Sequence, residues 1–147
     1  MLSKKLTAPL DKVWDIVGDL DREPEFWHGI KSIRNISKRG NSVERDVVIA
    51  FKNSTCREIV QLDPKKGINT EILSGPVKGT KTLTLTSIDS GDATSITVNW
   101  EIELSGFYKL FSAIVRNHIH KGTEEALERI SKELEGGSIG SSAHSSP

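Results

Sequence analysis

Hydrophobic and polar positions alternate most cleanly in two stretches, Lys81–Thr86 (KTLTLT) and Ser95–Leu104 (SITVNWEIEL). Strict alternation sends successive side chains to opposite faces, so each stretch predicts a strand with one buried and one wet face. The same texture reaches back to Ile30, broken at Arg39-Gly40-Asn41, Lys52-Asn53-Ser54, Asp63 to Gly67, Gly75 to Gly79 and Asp89 to Asp92. Six strands with short turns predict an antiparallel meander, and a further short strand is expected over roughly residues 2–7. At both ends the period changes to three and four residues. Leu10, Val13, Trp14 and Val17 share one face of a short helix that has Pro9 in its first turn and ends at Gly18-Asp19. Asp21–Trp27 predicts a second helical turn. Phe107–Glu135 predicts a long amphipathic helix with Gly136-Gly137 as its stop. Gly122 inside it costs about 1 kcal/mol against Ala and is read as a close approach to another element.

This order of elements predicts an α+β fold: a curved seven-stranded antiparallel sheet with two short N-terminal helices and one long C-terminal helix across its apolar face. A helix over a strongly curved sheet leaves a cavity, and such places bind small molecules. The domain is expected to span residues 1–135. Residues 136–147, GGSIGSSAHSSP, read as a flexible Gly/Ser-rich tail.

Composition narrows the classes. Leu, Ile, Val and Phe make up about 27% of the 147 residues, enough for one core but not two. Twenty basic residues balance twenty acidic ones, so no global field draws in nucleic acid or an anionic membrane. No run approaches the ~18–20 apolar residues of a membrane helix, and no apolar stretch follows Lys4-Lys5 as a signal peptide requires. The single cysteine, Cys56, excludes an intramolecular disulfide and a thiolate metal cluster. A cytoplasmic location is the expectation.

The opening Leu6-Thr7-Ala8-Pro9-Leu10-Asp11-Lys12-Val13-Trp14-Asp15, followed by Pro24-Glu25-Phe26-Trp27, resembles the start of the START-like superfamily. The helix segment Gly122-Thr123-Glu124-Glu125-Ala126-Leu127-Glu128-Arg129-Ile130 fits it as well. The resemblance covers about residues 2–135 and implies the helix-grip fold shared by polyketide cyclases, pollen-allergen-type proteins and coenzyme-Q-binding proteins. It implies a cavity for lipids, quinones, hormones or polyketides, with cyclases and hydrolases as a minority. It brings no universal catalytic residue, so none is assigned.

Strand phase supplies the candidate site. With Ser37 opposite Ser42, Ile30, Ser32, Arg34 and Ile36 share a face with Val43, Arg45, Val47 and Ile49. Continuing through the turns adds Cys56, Glu58, Val60 and Leu62, then Ile68, Thr70 and Ile72, then Leu83 and Leu85, then Ile96, Val98, Trp100 and Ile102. Arg34, Arg45, Glu58 and Thr70 interrupt this apolar lining. Buried charges must pair or meet a polar ligand. Arg45 and Glu58 therefore either orient the polar end of a bound molecule or form a structural ion pair. Phe111, Ile114 and His118 recur at helical spacing and are expected to face the sheet, where His118 either contacts a ligand carbonyl, acts as a base, or is a satisfied core residue. His120 lies about 200° round the helix from it, so the two cannot share a metal, and no metal site or cofactor is expected. Trp27 either gates the cavity mouth or caps the core, and Trp100 either lines the cavity or fills it. Trp14 belongs to the core. Gly-x-Ser-x-Gly and Gly-rich phosphate motifs are absent, and Cys56 reads as an inert small hydrophobe.

The preferred reading is binding or transport of an apolar small molecule (lipid, quinone or polyketide-like), oriented by Arg45, Glu58, Thr70 and His118. One rival is a cyclase/dehydrase-type enzyme in which His118 or Glu58 moves protons. The other is a protein-interaction module with a collapsed cavity. A copurifying ligand favours the first and an activity lost in His118→Ala the second. A filled cavity with an exposed apolar patch favours the third. A homodimer is left open.

Overall fold

A computed structural model describes residues 1–104 and 106–144, with side chains for 1–104 and 109–136. The chain opens with β1 (Leu2–Leu6), then α1 (Leu10–Val17), a 3₁₀ turn (Leu20–Arg22) and α2 (Glu23–Phe26). The meander follows as β2 (Ile30–Arg39), β3 (Ser42–Ile49), β4 (Thr55–Asp63), β5 (Gly67–Ile72), β6 (Val77–Ile88) and β7 (Ala93–Leu104). A 3₁₀ stretch (Gly106–Phe111) leads into α3 (Ser112–His144). The seven strands form one sheet in the order β1-β7-β6-β5-β4-β3-β2, every pair antiparallel. This is the helix-grip α+β fold.

The alternation read from β3 to β7 places the expected side chains inside: Val43, Val47, Cys56, Val60, Ile68, Ile72, Leu83, Leu85, Ile96, Val98 and Ile102 are all buried. Against the middle of this face pack Val13 and Val17 of α1, Phe26 of α2, and Ala126, Leu127 and Ile130 of α3. Trp14 is partly buried against the same core.

Four expectations fail for identifiable reasons. In β2 the register is shifted, with Arg39 opposite Ser42 and irregularities between Ile30 and Ser32 and between Asn35 and Ser37. Asn35 thereby faces Arg45, while Arg34 turns outward to pair with Asp46 at 2.9 Å; a bulge moves every later side chain to the other face. In α3 the inner stripe is Val115, Ile119, Thr123, Ala126-Leu127, Ile130 and Leu134, whereas Phe111, Ile114 and His118 are exposed. The helix also continues through Gly136-Gly137 to His144; glycine weakens a helix but, unlike proline, does not forbid it. Gly122 is no contact point either, since a Cβ there would meet nothing within 4 Å.

Candidate functional site

The sheet register builds a polar centre inside the apolar lining. Arg45 on β3 lies opposite Glu58 on β4, Thr70 on β5 opposite Lys81 on β6, and Lys81 opposite Trp100 on β7. α2 closes over them with Glu23 and, at its C-terminal end, Trp27. Pro24 in the first turn starts this short helix, leaving Glu23 and Phe26 buried beneath it.

Arg45, only 1% exposed, is held by two carboxylates. Its Nε donates to Glu58 Oε1 at 3.1 Å and its Nη2 lies 2.9 Å from the same oxygen. Glu23 Oε1 sits 2.5 Å from Nη2 as an ion pair without hydrogen-bond alignment, and Arg45 Nη1 makes no hydrogen bond among the described residues. Lys81, 7% exposed, rests its Nζ 3.3 Å from the centroid of the Trp27 ring and 5.3 Å from that of Trp100. The two indoles meet edge to face, 6.4 Å apart, so the ammonium sits in an aromatic corner of the kind that stabilises cations. It makes no hydrogen bond among the described residues. Trp100 Nε1 donates to Thr123 Oγ1 at 3.1 Å, and that hydroxyl donates to Ile119 O at 2.7 Å, tying α3 to the corner.

Two cations and two carboxylates make the cluster formally neutral, which is what allows it to be buried. Burial works against the charge on Arg45, yet Glu23 and Glu58 outweigh it and hold the guanidinium above its ordinary range. Burial dominates at Glu58 and raises its carboxyl despite Arg45. At Lys81 burial also prevails over both carboxylates, pulling the amine down to about 8. The Cys56 thiol is pushed up to about 11, by burial first and then by Glu58, which makes it a poor nucleophile.

The free space beside Lys81 is bounded by Ile16, Glu23, Trp27, Thr70 and Ile130, among others, and amounts to about 10 Å³. That is room for one water at most, against the ~300–1,000 Å³ of small-molecule pockets. Of the residues proposed from sequence, Trp27 and Thr70 border this space, and Arg45, Glu58 and Trp100 belong to the polar cluster beside it. Phe111, Ile114 and His118 do neither. Two members of the cluster escaped the sequence reading. Lys81 was legible, because it shares the phase of Leu83 and Leu85; Glu23 was not, because only tertiary folding carries α2 onto β3.

Comparison with known proteins agrees with this architecture. The structure resembles the Zhui aromatase/cyclase of a Streptomyces species, with a TM-score of 0.76 at 14% identity over 92% of each chain. It resembles a protein of Thermus thermophilus (TM-score 0.72, 16% identity, 93% of this chain and 97% of that one). It also resembles a START superfamily protein of Mycobacterium smegmatis (TM-score 0.65, 15% identity, 90% and 96%). No curated protein matches the sequence. Among the described residues no helix is long and apolar enough to cross a membrane. The family model described as polyketide cyclase / dehydrase and lipid transport matches residues 2–135, and to that START-like family the chain belongs.

Proposed function

We propose that this protein binds an apolar small molecule that ends in a hydrogen-bond acceptor, a carbonyl or carboxylate oxygen, received by Lys81. The observation that carries this reading is a buried ammonium with three N–H donors and no hydrogen-bonded acceptor among the described residues, bordering the space between sheet and helices. An acceptor oxygen placed there supplies the ammonium with a charge-assisted hydrogen bond, the strong kind. Trp27 and Trp100 offer flat apolar faces beside it for the body of the molecule. Because the space holds one water at most, entry requires α2 and the C-terminal half of α3 to separate from the sheet. The family's description, polyketide cyclase / dehydrase and lipid transport, is compatible with cargo of this kind.

The enzyme alternative loses His118, which is exposed on α3, and rests instead on the lowered amine of Lys81. The interaction-module reading draws support from the small cavity together with the exposed Leu110 and Ile114. Native mass spectrometry of freshly purified protein, followed by organic extraction, separates the readings. A discrete carbonyl- or carboxylate-bearing molecule released from the fold is the expected result. An empty protein that also refuses apolar dyes overturns it in favour of the interaction module.

A further inference from the structure

The balance of charge along the whole chain hides a local imbalance. From Gly106 to Lys121 the sequence contains Lys109, Arg116 and Lys121 but no aspartate or glutamate. Among the described residues the same segment holds the most exposed large apolar side chains after Met1: Leu110 is 80% and Ile114 58% exposed, with Phe111 also on the surface. Arg116 Nη2 donates to Ile102 O at 3.2 Å and fastens the segment to the end of β7. The nearest acids in sequence are both engaged. Glu103 lies on the outer sheet face opposite Lys78, and Glu124 pairs with His120 at 3.1 Å.

We infer that the start of α3 is a docking surface for an anionic lipid bilayer. Exposed apolar side chains in a stretch whose only formal charges are basic, here Lys109 and Lys121 with Arg116 turned to the sheet, have the composition that lies in a membrane interface, and each basic side chain near an anionic surface is worth roughly fivefold in affinity. A second copy of this chain fits worse, because face-to-face pairing would bring the basic side chains of both together with no acid between them. Leu110 and Ile114 also cover far less than the ~1,200 Å² of a stable protein interface. The inference is independent of what the buried space holds.

Vesicle flotation of the full chain tests it, using phosphatidylcholine vesicles with and without phosphatidylglycerol. Wild type should float with the anionic vesicles and lose at least about tenfold in binding between about 0.05 M and about 0.5 M salt. Leu110→Asp/Ile114→Asp should lower binding at least about tenfold with an unchanged melting temperature, both sites being exposed. Lys109→Glu/Lys121→Glu should do the same, while Ile36→Asp, an exposed apolar residue of β2, should not. Wild type that stays in solution at low salt overturns the inference, as does a Leu110→Asp/Ile114→Asp variant that floats like wild type. A dimer in solution that this double variant dissociates assigns the surface to a second copy and also overturns it.

Discussion

Strands β3 and β4 carry two charge clusters, one on each face, built from neighbouring residues with opposite consequences. On the inner face Arg45 is clamped between Glu58 and Glu23. On the outer face Arg57 donates to Asp46 through Nε at 2.6 Å and Nη2 at 3.3 Å and through Nη1 to Glu44 at 2.9 Å, with Arg34 adding a third bond to Asp46. The outer cluster has more ion pairs and better hydrogen-bond geometry. Its arginines and Glu44 are open to solvent, however, and water and salt erase most of what such pairs contribute. The inner cluster has poorer geometry and two nitrogens short of acceptors, yet none of its charges can be removed without stranding another in the core. Burial rather than the number of bonds decides which cluster matters.

The sharpest break of this comparison is a paired substitution. Arg45→Met leaves two buried carboxylates with Lys81 as their remaining cationic neighbour and should cost about 3–5 kcal/mol at neutral pH. Arg57→Met on the other face should cost under about 1 kcal/mol. Urea melts measure both, and equal losses would erase the distinction.

Lys81 offers a second test through pH. Its folded pKa of about 8 lies below the ordinary 10.5, so between those values the unfolded chain holds more protons than the folded one. Stability relative to Lys81→Met should therefore be flat below pH 8. It should then rise by up to about 1.4 kcal/mol per unit towards pH 10.5. The outer cluster gives a slope of the same sign in an acidic range, and there the charged form is the favoured one. Hydrogen bonds from Arg57 and Arg34 depress the Asp46 carboxyl, so its contribution is present above the ordinary carboxylate range and lost as pH falls through the folded value. A wild-type minus Lys81→Met difference that stays level to pH 10.5 would show that burial does not govern the amine.

A smaller effect is expected where α3 meets the inner cluster. Thr123→Val removes the acceptor for Trp100 Nε1 and should cost about 1–3 kcal/mol in thermal or urea melts.

The contrast between the faces was partly legible in the sequence. Alternation alone puts Arg45 and Glu58 inward and Glu44, Asp46 and Arg57 outward, and the turn between β3 and β4 sets them side by side. Lys81 follows from the same rule once the buried run is extended two residues upstream of Leu83. What alternation cannot supply is Glu23, which reaches Arg45 from another element, or the irregularities in β2 that send Arg34 outward. The first half of α3 failed differently. Phe111-Ile114-His118 and Val115-Ile119 are two apolar stripes about 100° apart, and periodicity cannot rank them. The second half, through Ala126-Leu127 and Ile130, fixes the phase and buries the latter stripe. At Gly122 a glycine inside a helix suggests a packing contact that the fold does not make. Since nothing crowds it, Gly122→Ala should stabilise the fold by roughly 0.5–1 kcal/mol in the same melts, the smallest of these effects.

The recognition role proposed for the inner cluster is tested most directly by equilibrium titration with anilinonaphthalene sulfonate, an apolar ring system that ends in acceptor oxygens, against wild type and Lys81→Met. The account predicts saturable one-to-one binding to wild type and at least about tenfold weaker binding to the variant, the loss of one charge-assisted hydrogen bond. A wild type that takes up no dye, or two proteins that bind it equally well, would contradict it.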